Sequence, residues 1–312
     1  MGHGALFGHG VIPGYDSSVA VSNLAWQSKL VLLLVLPWTA VSVVIQAEGW
    51  LRNQPPVAMW SLSLSAALGL VAWALRTASP AAALTGVTIT ANLMFSMLAL
   101  PFKPWNTGLV PVLVVLIVTS LATGFGRRRK EETGIAEKRR GRGAAQVAAN
   151  LGMAALIMDP SLQSALIDTR PLAGRTFASL LALGLAVLAE AAADTVSSEL
   201  GQVLGGRPRM ITTLRSVEPG TDGAITLAGT AAGILAAGLV AVAGCFALHG
   251  DASMLLVSWA GGVFGLFFDS LLGATLERAG WLNNDAVNFL STASAAACAV
   301  GLLAVIPHSS LG

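Results

Sequence analysis

The chain of 312 residues is 54% hydrophobic and only 11% charged, with mean hydropathy +0.72 and a net charge of +2. Soluble domains carry about 25% charged residues, so this composition excludes an ordinary water-soluble globule and selects a bilayer as solvent. Two cysteines, Cys245 and Cys298, lie inside apolar runs, which excludes a disulfide or zinc framework and leaves them as packing residues.

In chain order, the opening stretch MGHGALFGHGVIPGYDSSVAVSNLAWQSK lacks the basic start and directly following apolar core of a signal peptide. His3 and His9 are expected to be exposed tail residues. Nine apolar segments follow, at 29–47, 57–75, 81–101, 107–125, 144–158, 174–194, 224–248, 252–275 and 287–306. Their lengths predict an all-α, polytopic membrane helix bundle of about nine transmembrane helices. The fifth is short for a full span, which implies tilt, re-entry or burial among other helices. Residues 1–56 read as a tail with an extra helix, and 57–312 as the main membrane domain.

Orientation follows from GRRRKEETGIAEKRRGRG, residues 126–143, where eight basic residues (Arg127, Arg128, Arg129, Lys130, Lys138, Arg139, Arg140 and Arg142) face three acidic ones, a net of +5. The positive-inside rule puts this loop, and hence the N-terminus, in the cytoplasm. Threading outward from it assigns loops 195–223 and 276–286 to the same side. The basic run Arg127 to Lys130 is explained by topology and lipid-surface charge, and Glu131, Glu132 and Glu137 by solvation.

The segment AEAAADTVSSELG, residues 189–201, extends a lipid-compatible run yet holds Glu190, Asp194 and Glu199. A carboxylate at the bilayer centre costs about 2.5–3.5 kcal/mol on insertion scales and usually marks function. Glu190, Asp194 and Ser198 are spaced i, i+4, i+8 and share a helical face, whereas Glu199 is offset from Asp194 by about 140°. Glu190 has a structural alternative, as a packing residue paired with an arginine. The next stretch, RPRMITTLRSVEPGTDG, interleaves Arg207, Arg209 and Arg215 with Thr212, Thr213, Glu218, Thr221 and Asp222 around a Pro219-Gly220 turn. Arginine forks and threonine hydroxyls suit phosphate oxygens, and Gly223 opens a helix whose N-terminal amides attract anions.

Further on, Asp269, Gly273 and Glu277 again share one helical face, and Asn284, Asn288 and Ser291 follow at helical spacing. Carboxylates and amides are hard oxygen ligands suited to Mg²⁺ carrying a nucleotide's phosphates. With the arginines they form a phosphoryl-transfer set. Asp194 and Asp269 are the expected metal ligands, and Asp194, Glu199 and Asp269 the expected catalytic residues. Gly-Lys never occurs, which excludes a Walker loop. A kinase HRD or DFG, a zinc motif and a serine elbow are also missing, and nothing beyond the short basic loop points to nucleic acid.

Six segments in order, SLATGFGRRRKE, RGAAQVAANLG, AADTVSSELG, RMITTLRSVEPGTDGAITLAGTAAG, FGLFFDSLLGATLE and NNDAVNFLS, resemble the DUF92 family of integral membrane proteins over about residues 76–305. That family includes phytyl-phosphate kinases of tocopherol biosynthesis in plants and cyanobacteria, and an animal transmembrane protein. The resemblance implies an isoprenoid-monophosphate kinase using CTP or a similar nucleotide with Mg²⁺, akin in chemistry to phytol and dolichol kinases. By position it carries over Asp194, Ser198, Glu199 and Gly201; Arg209, Thr212, Thr213, Pro219, Gly220 and Gly223; and Asp269, Ser270, Gly273, Asn284 and Asn288. Gln146 and Asn150 match the family's glutamine–asparagine helix, where its usual Asn-Gly-Gly appears as Asn150-Leu151-Gly152.

In this reading the isoprenoid lies among helices and lipid, and its phosphate reaches the cytoplasmic face. Arg209, Thr212, Thr213 and Arg215 hold phosphates there, while Asn284 and Asn288 position donor or acceptor. Two rivals remain open, an ion-coupled transporter and a non-catalytic lipid-binding protein. Transporter sites favour the midplane of repeat interfaces, whereas these polar groups gather at one face and the chain shows no internal repeat.

Overall fold

A computed structural model of the chain describes residues 24–127, 141–168, 172–173 and 175–306. The expectations for His3, His9, Arg128, Arg129, Lys130, Glu131, Glu132, Glu137, Lys138, Arg139 and Arg140 fall outside these residues. The described chain is an all-α membrane bundle of ten helices, with one small hairpin between the seventh and eighth.

The helices are α1 (Ala25–Asn53), α2 (Pro55–Ala74), α3 (Pro80–Ser96), α4 (Leu109–Gly124), α5 (Ala144–Ile157) and α6 (Pro160–Asp168), then α7 (Phe177–Leu204), α8 (Leu227–Ala247), α9 (Ala252–Leu272) and α10 (Asn284–Val305). Every predicted segment overlaps a helix, but only α1, α2, α7, α8, α9 and α10 are long and apolar enough to cross a bilayer. At 17, 16 and 14 residues, α3, α4 and α5 fall short of the ~20 that a full span takes. The unpredicted α6 follows Asp159, whose Oδ1 accepts from the Ser161 N–H at 3.0 Å, with Pro160 at the first turn.

Helix starts follow the capping rule. Side chains of Ser79, Thr176, Thr226, Asp251 and Asn283 each accept from an orphan N–H three residues on. These caps fix where the chain turns back into the bundle.

The core forms around α7. In its most apolar stretch 78% of residues are buried, against 28–50% for the other long helices. That answers why it carries carboxylates, since its neighbours are protein rather than lipid. Small residues make the close approach possible. A methyl added at Gly262 of α9 would stand 2.7 Å from Ala189, and one at Gly233 of α8 would stand 2.8 Å from the Ala193 carbonyl. The predicted segment ended at 194, but α7 runs on to Leu204 because Gly201 and Gly205 pack against Thr226 at the start of α8.

α1 is tied into the same bundle at both ends. Near one end Gln27 bonds the Trp281 carbonyl and the Asn283 N–H, both at 2.8 Å, and the Asn283 amide reaches the Leu24 carbonyl and Ser28. Towards the other, Ser42 donates to buried Asp159 at 2.6 Å and accepts from Asn92 at 2.9 Å.

Candidate functional site

Where α7 and α9 approach one end of the bundle, a polar cavity of about 330 Å³ opens. It gathers Asp194, Ser198 and Glu199 from α7 with Asp269 from α9. Gln146 and Asn150 from α5 face Asn284 and Asn288 of α10 across it. Gly220 and Gly223 from the hairpin complete this part of the wall. The ends of all three polar connections therefore meet on one cavity, through Arg142, Pro208 and Glu277 among others.

Two carboxyls define its centre. The side chains of Asp194 and Asp269, on different helices, act on one another in this cavity. Two ionised carboxylates side by side repel, and a bound cation would relieve that repulsion. Asp269 Oδ1 is buried and has no hydrogen-bond partner among the described residues. Below them Glu190, 1% exposed, presses against Gly265, where an added methyl would stand 2.4 Å from Glu190 Cγ. Its Oε1 is likewise without a partner, and no arginine forms an ion pair with it among the described residues.

Further acids line the cavity at Asp222 and Glu277. Asp222 is exposed as a residue, yet protein crowding its carboxyl holds the pKa above the ordinary aspartate value, while the Arg278 guanidinium pulls it back down. The cation among the cavity's lining residues is Arg142, whose charge acts on Asp194. Its backbone is clamped to the α2–α3 turn: the Arg142 N–H donates to the Thr77 carbonyl at 2.9 Å, and its carbonyl accepts from Ser79 at 3.1 Å. In sequence Arg142 is one of eight basic residues in a run and carries no mark of its own; its neighbour Gly143, which leads into α5, was the available signal.

The opposite wall is built by amides. Asn288, buried, donates to Asn150 Oδ1 at 3.4 Å, and Asn150 donates to the Gln146 carbonyl at 2.8 Å. α9 widens into a π turn at Gly273–Glu277, a feature frequent at functional sites. The turn receives the hairpin return strand, because Gly223 lies so close that a methyl there would stand 2.1 Å from the Ala274 nitrogen.

The hairpin pairs β1 (Arg209–Met210) with β2 (Ala224–Ile225) antiparallel. Its bases, Pro208, residues 219–224 and Thr226, line the cavity, whereas Arg209, Thr212, Thr213 and Arg215 do not. These four are exposed, and Arg209 Nη1 bonds the Leu214 carbonyl at 3.2 Å. The sequence places them in the site; the structure sets them on the exposed part of a hairpin that rises from its edge.

Mg²⁺ takes one or two carboxylates and fills its octahedron with waters and phosphate oxygens. Asp194 and Asp269 fit that requirement, with the unpartnered Asp269 oxygen as a free donor. No group of three or more His, Cys, Asp or Glu side chains forms a ready-made cage among the described residues.

The sequence profile of the family described as integral membrane protein DUF92 matches residues 63–296, well over half of the chain. An uncharacterised membrane protein of Methanocaldococcus jannaschii is 50% identical over 105 residues, covering 34% of this chain and 44% of that protein. The chloroplast protein VTE6 of Arabidopsis thaliana is 30% identical over 190 residues, 60% of this chain and 55% of its own. An uncharacterised membrane protein of Synechocystis is 35% identical over 204 residues, 62% of this chain and 73% of its own. The match thus spans about half the length of the first two relatives, and no solved structure matches the chain. The chain belongs to the integral membrane protein DUF92 family.

Proposed function

We propose that the protein is a membrane phosphotransferase that moves the terminal phosphoryl group of CTP, or a similar nucleoside triphosphate, onto an isoprenoid monophosphate. The observation that carries this reading is the meeting of Asp194 and Asp269 in a cavity that also holds Arg142 and a wall of asparagines. An oxygen of the acceptor phosphate attacks the γ-phosphorus; the bond from that phosphorus to the β-bridging oxygen breaks, and a diphosphate and a nucleoside diphosphate leave. A phosphate monoester is already ionised at neutral pH, so the step needs no strong general base. That accords with the lack of histidine among the cavity residues.

Asp194 and Asp269 hold Mg²⁺, which neutralises phosphate charge when bound, and Glu199 assists at the edge. Ser198, Gly220 and Gly223 border the donor phosphates, while Gln146, Asn150, Asn284 and Asn288 orient donor and acceptor. The polar cavity, about 330 Å³, is at the small end of ligand pockets, which run ~300–1,000 Å³. The nucleoside therefore extends beyond it toward Arg209, Thr212, Thr213 and Arg215 on the hairpin. The net positive charge of the 126–143 connection supports a cytoplasmic position for this end of the bundle.

The test is direct. Purified protein in lipid, given Mg²⁺, labelled CTP, ATP, GTP or UTP and a panel of prenyl monophosphates, should form a prenyl diphosphate with one donor preferred. Failure of every donor–acceptor pair, in a preparation that remains folded, overturns the proposal. Cation flux through the same protein in sealed vesicles would then point to a carrier.

A further inference from the structure

A second cavity, about 590 Å³, lies between α2, α3, α4 and α5. Apolar side chains wall it, among them Leu68, Ala83, Val112, Leu116 and Leu151. Thr123, Arg142, Asn150 and Glu199 line both this cavity and the acidic one. Arg76 and Arg127 also line the larger cavity, and Arg142 is the arginine that lines both, at a junction between a mainly apolar volume and the paired carboxylates.

We infer that the apolar cavity seats the hydrocarbon chain of a lipid phosphomonoester, with Arg142 holding its phosphate at the junction. This deepens the kinase proposal and rests on it for the identity of the chain as an isoprenoid. The chemistry of the walls sets the occupant. A chain alone gains nothing from an arginine, and a free phosphate gains nothing from leucines and valines, whereas an amphiphile with one anionic end satisfies both. Arg142 is suited to the role because its backbone is fixed on either side by hydrogen bonds to Thr77 and Ser79. Those backbone bonds fix where the side chain begins, so its fork works from a set point at the junction.

Gly86 keeps the chamber open. It lies in the middle of α3 and lines the apolar cavity, and a methyl placed on it would meet no atom within 4 Å. A larger side chain there enters empty space rather than backbone, so it shortens the chamber without forcing helices apart. Gly301, on α10, is exposed, also has nothing within 4 Å and lines none of the cavities described here, which makes it the matched control.

The experiment uses the full chain in lipid nanodiscs with ten-, fifteen- and twenty-carbon prenyl monophosphates, and a twenty-carbon analogue bearing a diazirine at its tail. Tail cross-links should map to α2–α5, and excess unlabelled prenyl monophosphate should suppress them. Phosphatidic acid should compete less; equal competition assigns the cavity to membrane phospholipid and overturns the isoprenoid assignment. Gly86→Leu should weaken binding of the longest chain by at least about tenfold while sparing the shortest; Gly301→Leu should leave both unchanged. Arg142→Lys should raise the acceptor KM and weaken binding of the monophosphate but not of the corresponding prenol. Cross-links outside α2–α5, or equal effects of Gly86→Leu and Gly301→Leu, overturn the inference even if the protein proves to be a kinase. Labelling of α2–α5 without turnover from any nucleotide would sink the kinase proposal and leave the cavity a lipid-phosphate site.

Discussion

Asp194 on α7 and Asp269 on α9 come from segments 75 residues apart, and their carboxyls meet inside a membrane bundle. Both are half-buried, and a cation held by the pair would relieve the repulsion between them. Asp194→Asn or Asp269→Asn should lower turnover by at least about a hundredfold, the scale of losing one electrostatic contact to the transition state. Thermal melting in nanodiscs should change little, because the amide keeps the shape. Near-normal activity in both variants would show that the pair is structural.

Gly223 should tolerate no side chain. It has φ +72°, and an added methyl would stand 2.1 Å from the backbone nitrogen of Ala274. Gly206 also has positive φ, +67°, but nothing lies within 4 Å of it. Gly206→Ala therefore incurs only the backbone strain, about 1–3 kcal/mol. Gly223→Ala should cost more and separate the hairpin from the π turn, seen as a larger fall in melting temperature. Equal shifts for the two alanines would show that the contact with Ala274 contributes nothing.

Arg209 tests whether the hairpin serves the donor. It stands outside the cavity, with its fork on the Leu214 carbonyl, so its expected effect is on the larger, nucleoside end of the reaction. Arg209→Lys keeps the charge but loses the fork geometry. It should raise the nucleotide KM several-fold and leave the acceptor KM alone. No change in either constant removes the hairpin tip from the site.

Sidedness is tested by labelling. In a chain with Cys245 and Cys298 replaced, single cysteines at Thr213 and at Ala279 should react with an impermeant reagent only after the membrane is opened. Labelling of either on intact cells would reverse the assignment drawn from the basic connection.

The spacing of acids and amides made most of the cavity legible in the sequence. Asp194, Ser198, Asp269, Asn284 and Asn288 stand out because polar side chains in apolar runs are costly, and all five line one cavity. Three other features were hidden for physical reasons. The end of α7 depends on Gly201 and Gly205 meeting Thr226, a contact made across more than twenty residues. Arg142 is masked by the seven other basic residues around it, each with a sufficient topological explanation. The exposure of Arg209, Thr212, Thr213 and Arg215 comes from two-residue strands pairing through backbone groups, which side-chain chemistry does not announce. For Glu199 the about 140° offset from Asp194 was informative, since it lines the apolar chamber as well as the acidic one.

The hydrogen bonds that Asn283 donates to Gln27, Leu24 and Ser28, and that Gln27 donates to the Trp281 carbonyl, bear on how portable the acidic site is. Asn283 caps α10, the helix whose first turn carries Asn284 and whose second carries Asn288. The helix that steadies this cap, α1, lies wholly outside the 63–296 region shared with the family. Cutting the chain down to that shared region, or grafting the region onto another leader, would therefore leave the Asn283 amide without its two oxygen partners and Gly152 without Val35 packed against it. Sequence drift in a helix that touches none of the acidic residues can thus move the asparagine wall, and with it the affinity of the whole pocket.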